Sequence, residues 1–136
     1  MVSTMMMEFS MALSDQPGEL ARVSREFSDR GINISTICAI GRAAPNVAIV
    51  TEQVMEARLA LESLGVAFTV SELLTLVMPD KAGALADFSE RLAAAGVNIQ
   101  SIYVLSRYHG DTELAFSVDD VDKARATLNL HESVPP

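Results

Sequence analysis

The sequence predicts an α+β protein that consists of two similar units. The first observation is an internal repeat: SDQPGELARVSREFSDRGINISTI, from Ser14, and PDKAGALADFSERLAAAGVNIQSI, from Pro79, place Asp, Gly, Leu, Gly, Asn and Ile at matching positions 65 residues apart. The second is that strand patterns and helix patterns follow one another in the same order in both copies. The third is a hydrophobic content of 49% with 5% aromatic residues, typical of a globular protein with an aliphatic core.

The first copy contains patterns for six elements. Phe9, Met11 and Leu13 alternate with polar or small residues, which predicts a strand with one buried face. Pro17 and Gly31 bound a run of helically spaced apolar residues, since proline suits the first turn of a helix and glycine commonly follows the last turn. The predicted elements are a strand at 8–13, a helix at 17–31, strands at 33–41 and 47–51, a helix at 54–65 and a strand at 66–70.

The order β-α-β-β-α-β predicts a ferredoxin-like unit, an antiparallel sheet with both helices on one face. The second copy repeats it, with an offset that grows to 67 by the second helix, which we assign to a longer turn around His109 to Asp111. At its end HESVPP replaces GVAFTV, so the last strand of the second copy is predicted to be weak or missing. The absence of Gly and Pro near Ser71 indicates a short connection, giving units at 1–71 and 72–136.

Charge and composition exclude several classes of partner. Lys and Arg number 10 against 18 Asp and Glu, a net charge of −8, which disfavours nucleic acid and anionic membrane surfaces. The apolar runs are too short to span a bilayer, and MVSTMMM lacks the pattern of a signal peptide. Cys38 is the single cysteine and is expected to be a small buried hydrophobe. These features predict a cytoplasmic protein.

The duplicated polar positions have both structural and functional interpretations. Asp15 and Asp80 lie between a strand and a helix, where a carboxylate can cap the helix. Gly18 and Gly83 fall in the predicted first helical turn, where helix geometry alone tolerates a side chain. A glycine there suits either close packing against a strand or the approach of an anion to the free N–H groups of the helix.

Asn33 and Asn98 open the second strand of each unit. An asparagine at this place can hydrogen-bond the preceding turn. Its amide can also accept from an ammonium while donating to a carboxylate. The residues alone leave both interpretations open.

These positions together resemble the ACT domain, a small regulatory module attached to many enzymes of amino-acid biosynthesis. The resemblance rests on D-x-P-G-x-L, about a dozen helical residues and G-x-N-I, and it covers nearly the whole chain; the second copy departs from it with Ala82 in place of the proline. It implies that the units pair side by side through their second strands and that an amino acid binds at the pair interface. Residues Asp15 to Leu20 would then share one ligand with Asn98, and Asp80 to Leu85 another with Asn33.

The ligand-binding residues predicted by this resemblance come in equal number from each copy. They are Asp15, Pro17, Gly18, Glu19, Leu20, Asn33 and Ile34 in the first and Asp80, Ala82, Gly83, Ala84, Leu85, Asn98 and Ile99 in the second.

Catalytic, metal and cofactor sites are not predicted. His109 and His131 lack partners at metal-ligand spacing, and no serine has the surroundings of a nucleophile. We therefore expect a non-catalytic regulatory protein that binds a small amino acid and signals to a partner, such as an amino-acid metabolic enzyme, or through its oligomeric state. The alternative is a ligand-free subunit of such an enzyme. A homodimer is expected, because the missing strand leaves residues 73–78 with an open edge.

Overall fold

The computed structural model describes residues 6–42 and 46–130 of the chain. These residues divide into two compact units, and the division falls between Glu72 and Leu73. Each unit is an antiparallel sheet with two helices, so the predicted α+β class with two ferredoxin-like units is confirmed. The segment HESVPP lies outside the described residues.

The first unit contains all six predicted elements. They are β1 (Met7–Met11), α1 (Glu19–Asp29), β2 (Thr36–Ile40), β3 (Asn46–Thr51), α2 (Val54–Ser63) and β4 (Phe68–Glu72). The strand order is β2-β3-β1-β4, with β1 paired to both β3 and β4. The alternation seen in the sequence buries Phe9 and Met11 against Val23 and Phe27 of α1, so the hydrophobic core lies between the sheet and the helices.

The second unit repeats this order up to its second helix. It contains β5 (Leu74–Pro79), α3 (Ala84–Ala94), β6 (Ile99–Tyr108), β7 (Asp111–Val118) and α4 (Val121–Leu128). The rings of Phe88 and Phe116 pack edge to face in its core, with centroids 5.0 Å apart. The strand order is β5-β7-β6, and within the described residues no fourth strand pairs with β5. This agrees with the expectation of a weak or missing last strand.

The hairpin formed by β6 and β7 differs from the prediction. The additional residues lengthen the strands rather than the turn, since β6 has 10 residues and β7 has 8, against 5 in β2 and 6 in β3. The turn itself is short, with His109 and Gly110 at φ of 51° and 81°. Two successive positive φ values suit the twist of a hairpin, so the ladder continues up to the turn. The longer hairpin reaches the β5–α3 loop, where the Asp80 N–H donates to the Gly110 carbonyl at 2.8 Å.

Cys38 is exposed, so the expectation of a buried cysteine is wrong. It lies on β2, which pairs with β3 alone and forms an edge of the first sheet. An edge strand has a neighbour on one side only, which leaves its side chains less covered than those of a central strand.

Candidate functional site

The turn that leads into the first helix has the same geometry in both units. Gly18 and Gly83 are the N-cap residues, at φ of 93° and 92°, and each carbonyl accepts a hydrogen bond at 2.9 Å, from the Arg22 N–H and the Asp87 N–H. The exchange of Pro17 for Ala82 leaves this conformation unchanged. The prediction that helix geometry tolerates a side chain at these glycines is wrong, because they precede the helix in a left-handed conformation that disfavours any residue with a Cβ.

Asp15 and Asp80 do not cap these helices, since neither helix has a side-chain hydrogen bond at its N-cap. Each carboxylate instead lies near the end of the second strand of its own unit. A Cβ at Gly41, which follows β2, would lie 3.2 Å from the Asp15 Oδ1. In the second unit the Asp80 Oδ2 lies 3.5 Å from the Arg107 Nε on β6.

The backbones of Asn33 and Asn98 are held by the loop that follows the third strand of their unit. The Asn33 N–H donates to the Gln53 Oε1 at 2.7 Å, and the Asn98 N–H donates to the Asp119 Oδ1 at 2.9 Å. Both asparagine side chains are exposed and have no hydrogen-bond partner among the described residues. The interpretation that these amides hydrogen-bond the preceding turn is therefore not supported by the structure.

A pocket of about 210 Å³ lies within the second unit, where the β5–α3 loop faces the β6–β7 hairpin. Its lining combines an apolar floor and wall with charged groups. The lining residues are Met78, Pro79, Asp80, Lys81, Ala84, Leu85, Ile102, Tyr103, Val104, Arg107, Thr112 and Leu114.

Thr112 is the polar residue at the floor of this pocket. It pairs with Met78 of β5 on one side and with Arg107 of β6 on the other. Its side chain is 6% exposed, and its hydroxyl has no hydrogen-bond partner among the described residues. A buried hydroxyl without a partner costs about 1–3 kcal/mol of stability. Such a group needs a specific explanation, and its place in a pocket wall suggests one.

The charged groups of the pocket remain accessible. The side chains of Arg107 and Asp80 are 65% and 45% exposed, and Lys81 is also exposed. An ion pair this exposed contributes little to stability, from about 0 to 1 kcal/mol. Exchanging the partners of Asp80 and Arg107 for the charges of a ligand therefore costs little.

The structure brings together three of the predicted site residues of the second unit. Asp80, Ala84 and Leu85 line the pocket, whereas Asn98 and Ile99, at the opposite end of β6, are not part of its lining. Ala82 and Gly83 form the turn before the helix without lining the pocket.

The corresponding residues of the first unit have more varied surroundings. Pro17 is exposed in the turn, Glu19 is ion-paired with Arg22 at 3.2 Å, and Leu20 is 40% exposed. Ile34 packs against the hydrophobic core. The side chain of Ile34 is thus a structural element of the first unit rather than an exposed contact.

Arg107 and Thr112 were missed by sequence reasoning. A signal for Arg107 existed, because Arg42 precedes it by the repeat distance of 65 residues. Thr112 gave no such signal. Phe116 pairs with Leu74 as Ile49 pairs with Phe9, so β7 follows β3 by 67 positions (116 − 49), and the sequence has Pro45 where the second unit has Thr112.

Two further searches of the described residues gave no site. Residues 6–42 and 46–130 contain no group of three or more His, Cys, Asp or Glu that could hold a metal ion. None of the helices in the same ranges is long and apolar enough to cross a membrane.

Comparison with protein families identifies the class of the second unit. Residues 72–135 match the sequence model of the ACT domain. The second unit is therefore an ACT domain, and the resemblance predicted from its motif is confirmed. The first unit repeats its fold and carries the D-x-P-G-x-L and G-x-N-I patterns 65 residues earlier.

Solved structures share the arrangement of the whole chain. A protein from Bacteroides thetaiotaomicron aligns with a TM-score of 0.79 and 22% identity, over 93% of this chain and 88% of its own. The regulatory subunit of aspartate kinase from Thermus flavus aligns with a TM-score of 0.70 and 19% identity, over 94% and 91%. The ligand-free regulatory subunit of aspartate kinase from Thermus thermophilus gives 0.69 and 19%, over 94% and 91%. No curated protein matches the sequence.

Proposed function

We propose that the chain is a non-catalytic regulatory protein that binds a small amino acid at its ACT-type units and passes the bound state to a partner or to its own oligomeric state. The observation that carries this proposal is the pocket of the second unit, where an exposed acid and an exposed base stand beside an apolar floor. The likeness in fold to regulatory subunits of aspartate kinase supports an enzyme of amino-acid metabolism as the partner. Such a partner places the protein in the cytoplasm.

A zwitterion complements the charges at this pocket. Its carboxylate pairs with Arg107 and its ammonium pairs with Asp80, replacing the ion pair that these two side chains make with each other. Its side chain then points to the apolar residues Leu85, Val104 and Leu114. The ligand carries no net charge, so the acidic balance of the chain does not oppose binding.

Screening the twenty amino acids for their effect on thermal unfolding tests this function. A ligand that binds the folded state stabilises it by about 2.7 kcal/mol at a hundredfold excess over its dissociation constant. For units of this size that corresponds to an increase of several degrees in the melting temperature. If no amino acid raises the melting temperature at millimolar concentration, the chain is not an amino-acid sensor.

The asparagines that open the second strands remain proposed ligand contacts. Asn98→Ala should weaken amino-acid binding by about 1 kcal/mol through the loss of one hydrogen bond, and Asn33→Ala should do the same. Both variants should unfold at the temperature of the wild type without ligand, because these side chains have no hydrogen-bond partner among the described residues. Calorimetric titration and thermal melts measure the two effects separately. A destabilised variant with unchanged affinity would assign these residues to the fold alone.

The second candidate function is a ligand-free subunit that binds an enzyme or a second copy of the chain. It is favoured by exposed apolar side chains on the second strands, Ile37 and Ile40 on β2 and Ile102 and Val104 on β6, which are 40–59% exposed. The unpaired edge of β5 within the described residues supports the same idea and, with it, the proposed homodimer. Light scattering at micromolar protein concentration, with and without amino acids, distinguishes a dimer that responds to ligand from one that does not.

A further inference from the structure

We propose that Thr112 determines the specificity of the pocket in the second unit, and that this pocket selects an α-amino acid with a short side chain that carries a hydrogen-bonding group. The proposal rests on the function proposed above and concerns the same site. Its basis is that a hydroxyl without a partner among the described residues belongs to a residue in the wall of a pocket whose opening carries Asp80 and Arg107.

The position of Thr112 limits what can satisfy its hydroxyl. It lies on the central strand of the sheet, between Met78 and Arg107, with Leu114 two residues further along the same face. All four residues line the pocket. Rotation about the threonine Cα–Cβ bond, between staggered positions, can direct the oxygen into this space. A hydrogen-bonding group of a bound molecule would then be the missing partner.

The same register fixes the length of the ligand side chain. Arg107 is the direct cross-strand neighbour of Thr112, and directly opposed residues have Cβ atoms about 5 Å apart. A carboxylate held by Arg107 therefore places the α-carbon of an amino acid close to Thr112. A side chain of one or two carbons that ends in a hydroxyl or an amide spans the remaining distance, whereas an aliphatic side chain leaves the hydroxyl unsatisfied.

The two units differ at this position. The sequence has Pro45 at the place that corresponds to Thr112, and proline has no hydroxyl. The selectivity that we assign to Thr112 is thus a property of the second unit alone.

The test compares wild type with Thr112→Val, which removes the hydroxyl and keeps the shape of the side chain. Dissociation constants are measured by calorimetry for threonine against valine, serine against alanine, and asparagine against leucine. The wild type should favour the polar member of at least one pair by about tenfold, the value of one hydrogen bond to a buried group. Thr112→Val should reduce that preference to about one. Thr75→Val, an exposed threonine on β5 outside the pocket lining, is the matched control and should retain the preference.

Each other result rejects the proposal in a recognisable way. If wild type and Thr112→Val bind the same amino acid with the same preference, Thr112 does not select the ligand, while the sensor function stands. If the wild type favours the aliphatic member of every pair, the pocket is an apolar one and the assignment of its ligand class is wrong. If no amino acid binds either protein, the sensor function fails together with the specificity built on it.

Discussion

A variant that carries both Asp80→Asn and Arg107→Gln is expected to lose amino-acid binding. Each substitution removes one charge-assisted hydrogen bond to the zwitterion, a loss of about 1.5–3 kcal/mol. Together they should reduce the affinity by more than about a hundredfold, since 1.4 kcal/mol is a factor of ten. The melting temperature of the variant should not rise in amino-acid concentrations that stabilise the wild type.

The fold of this variant should be intact, because the ion pair that it removes is exposed and contributes little to stability. The matched control is Arg25→Gln with Asp29→Asn, which removes an ion pair on α1 whose side chains are 75% and 65% exposed. The control should bind amino acids as the wild type does. Equal affinities in the two double variants would show that the amino acid binds elsewhere.

Gly83→Val is expected to reduce the free energy of unfolding by about 2 kcal/mol, because it forces a β-branched residue into the left-handed conformation. A shift of several degrees in the melting temperature follows. The space around this glycine is open, with no atom within 4 Å of a Cβ built on it, so the penalty comes from the backbone and not from a clash. Gly18→Val should behave in the same way, since its φ is 93°.

Ala82→Val is the matched control for this backbone effect. Ala82 is exposed, precedes Gly83 directly and does not have a positive φ. Chemical denaturation of the three proteins should show a loss of stability in Gly83→Val alone. A Gly83→Val protein as stable as the wild type would mean that the turn adopts another conformation and that the glycine serves ligand approach only.

The repeat made the fold predictable. Phe9 and Met11 show the period of a strand, Val23 and Phe27 that of a helix, and all four are buried where these patterns placed them. The second copy provided an independent reading of the same order, and the replacement of its last strand sequence by HESVPP indicated the shorter sheet. Patterns of burial are encoded locally, which is why they survive translation from sequence to structure.

The candidate site was less predictable, because it depends on register and backbone conformation. A glycine in the left-handed region and a glycine in the first turn of a helix look the same in sequence, so the need for Gly83 was misjudged. The position of Arg107 over Asp80 depends on a hairpin that grew in its strands rather than in its turn. Thr112 becomes notable only once the structure shows that its hydroxyl is buried within the described residues without a partner.

Titration of the ¹⁵N-labelled protein with amino acids, followed through backbone amide resonances, tests the central claim most directly. The account predicts that a bound amino acid shifts the resonances of Asp80 to Leu85, Arg107 and Thr112, and that the shifts saturate with the concentration of ligand. Titration with the amine that lacks the carboxylate should leave these resonances unchanged, because Arg107 then has no partner on the ligand. If no amino acid moves these resonances, or if the saturating shifts lie wholly outside the pocket of the second unit, the proposed amino-acid site is wrong.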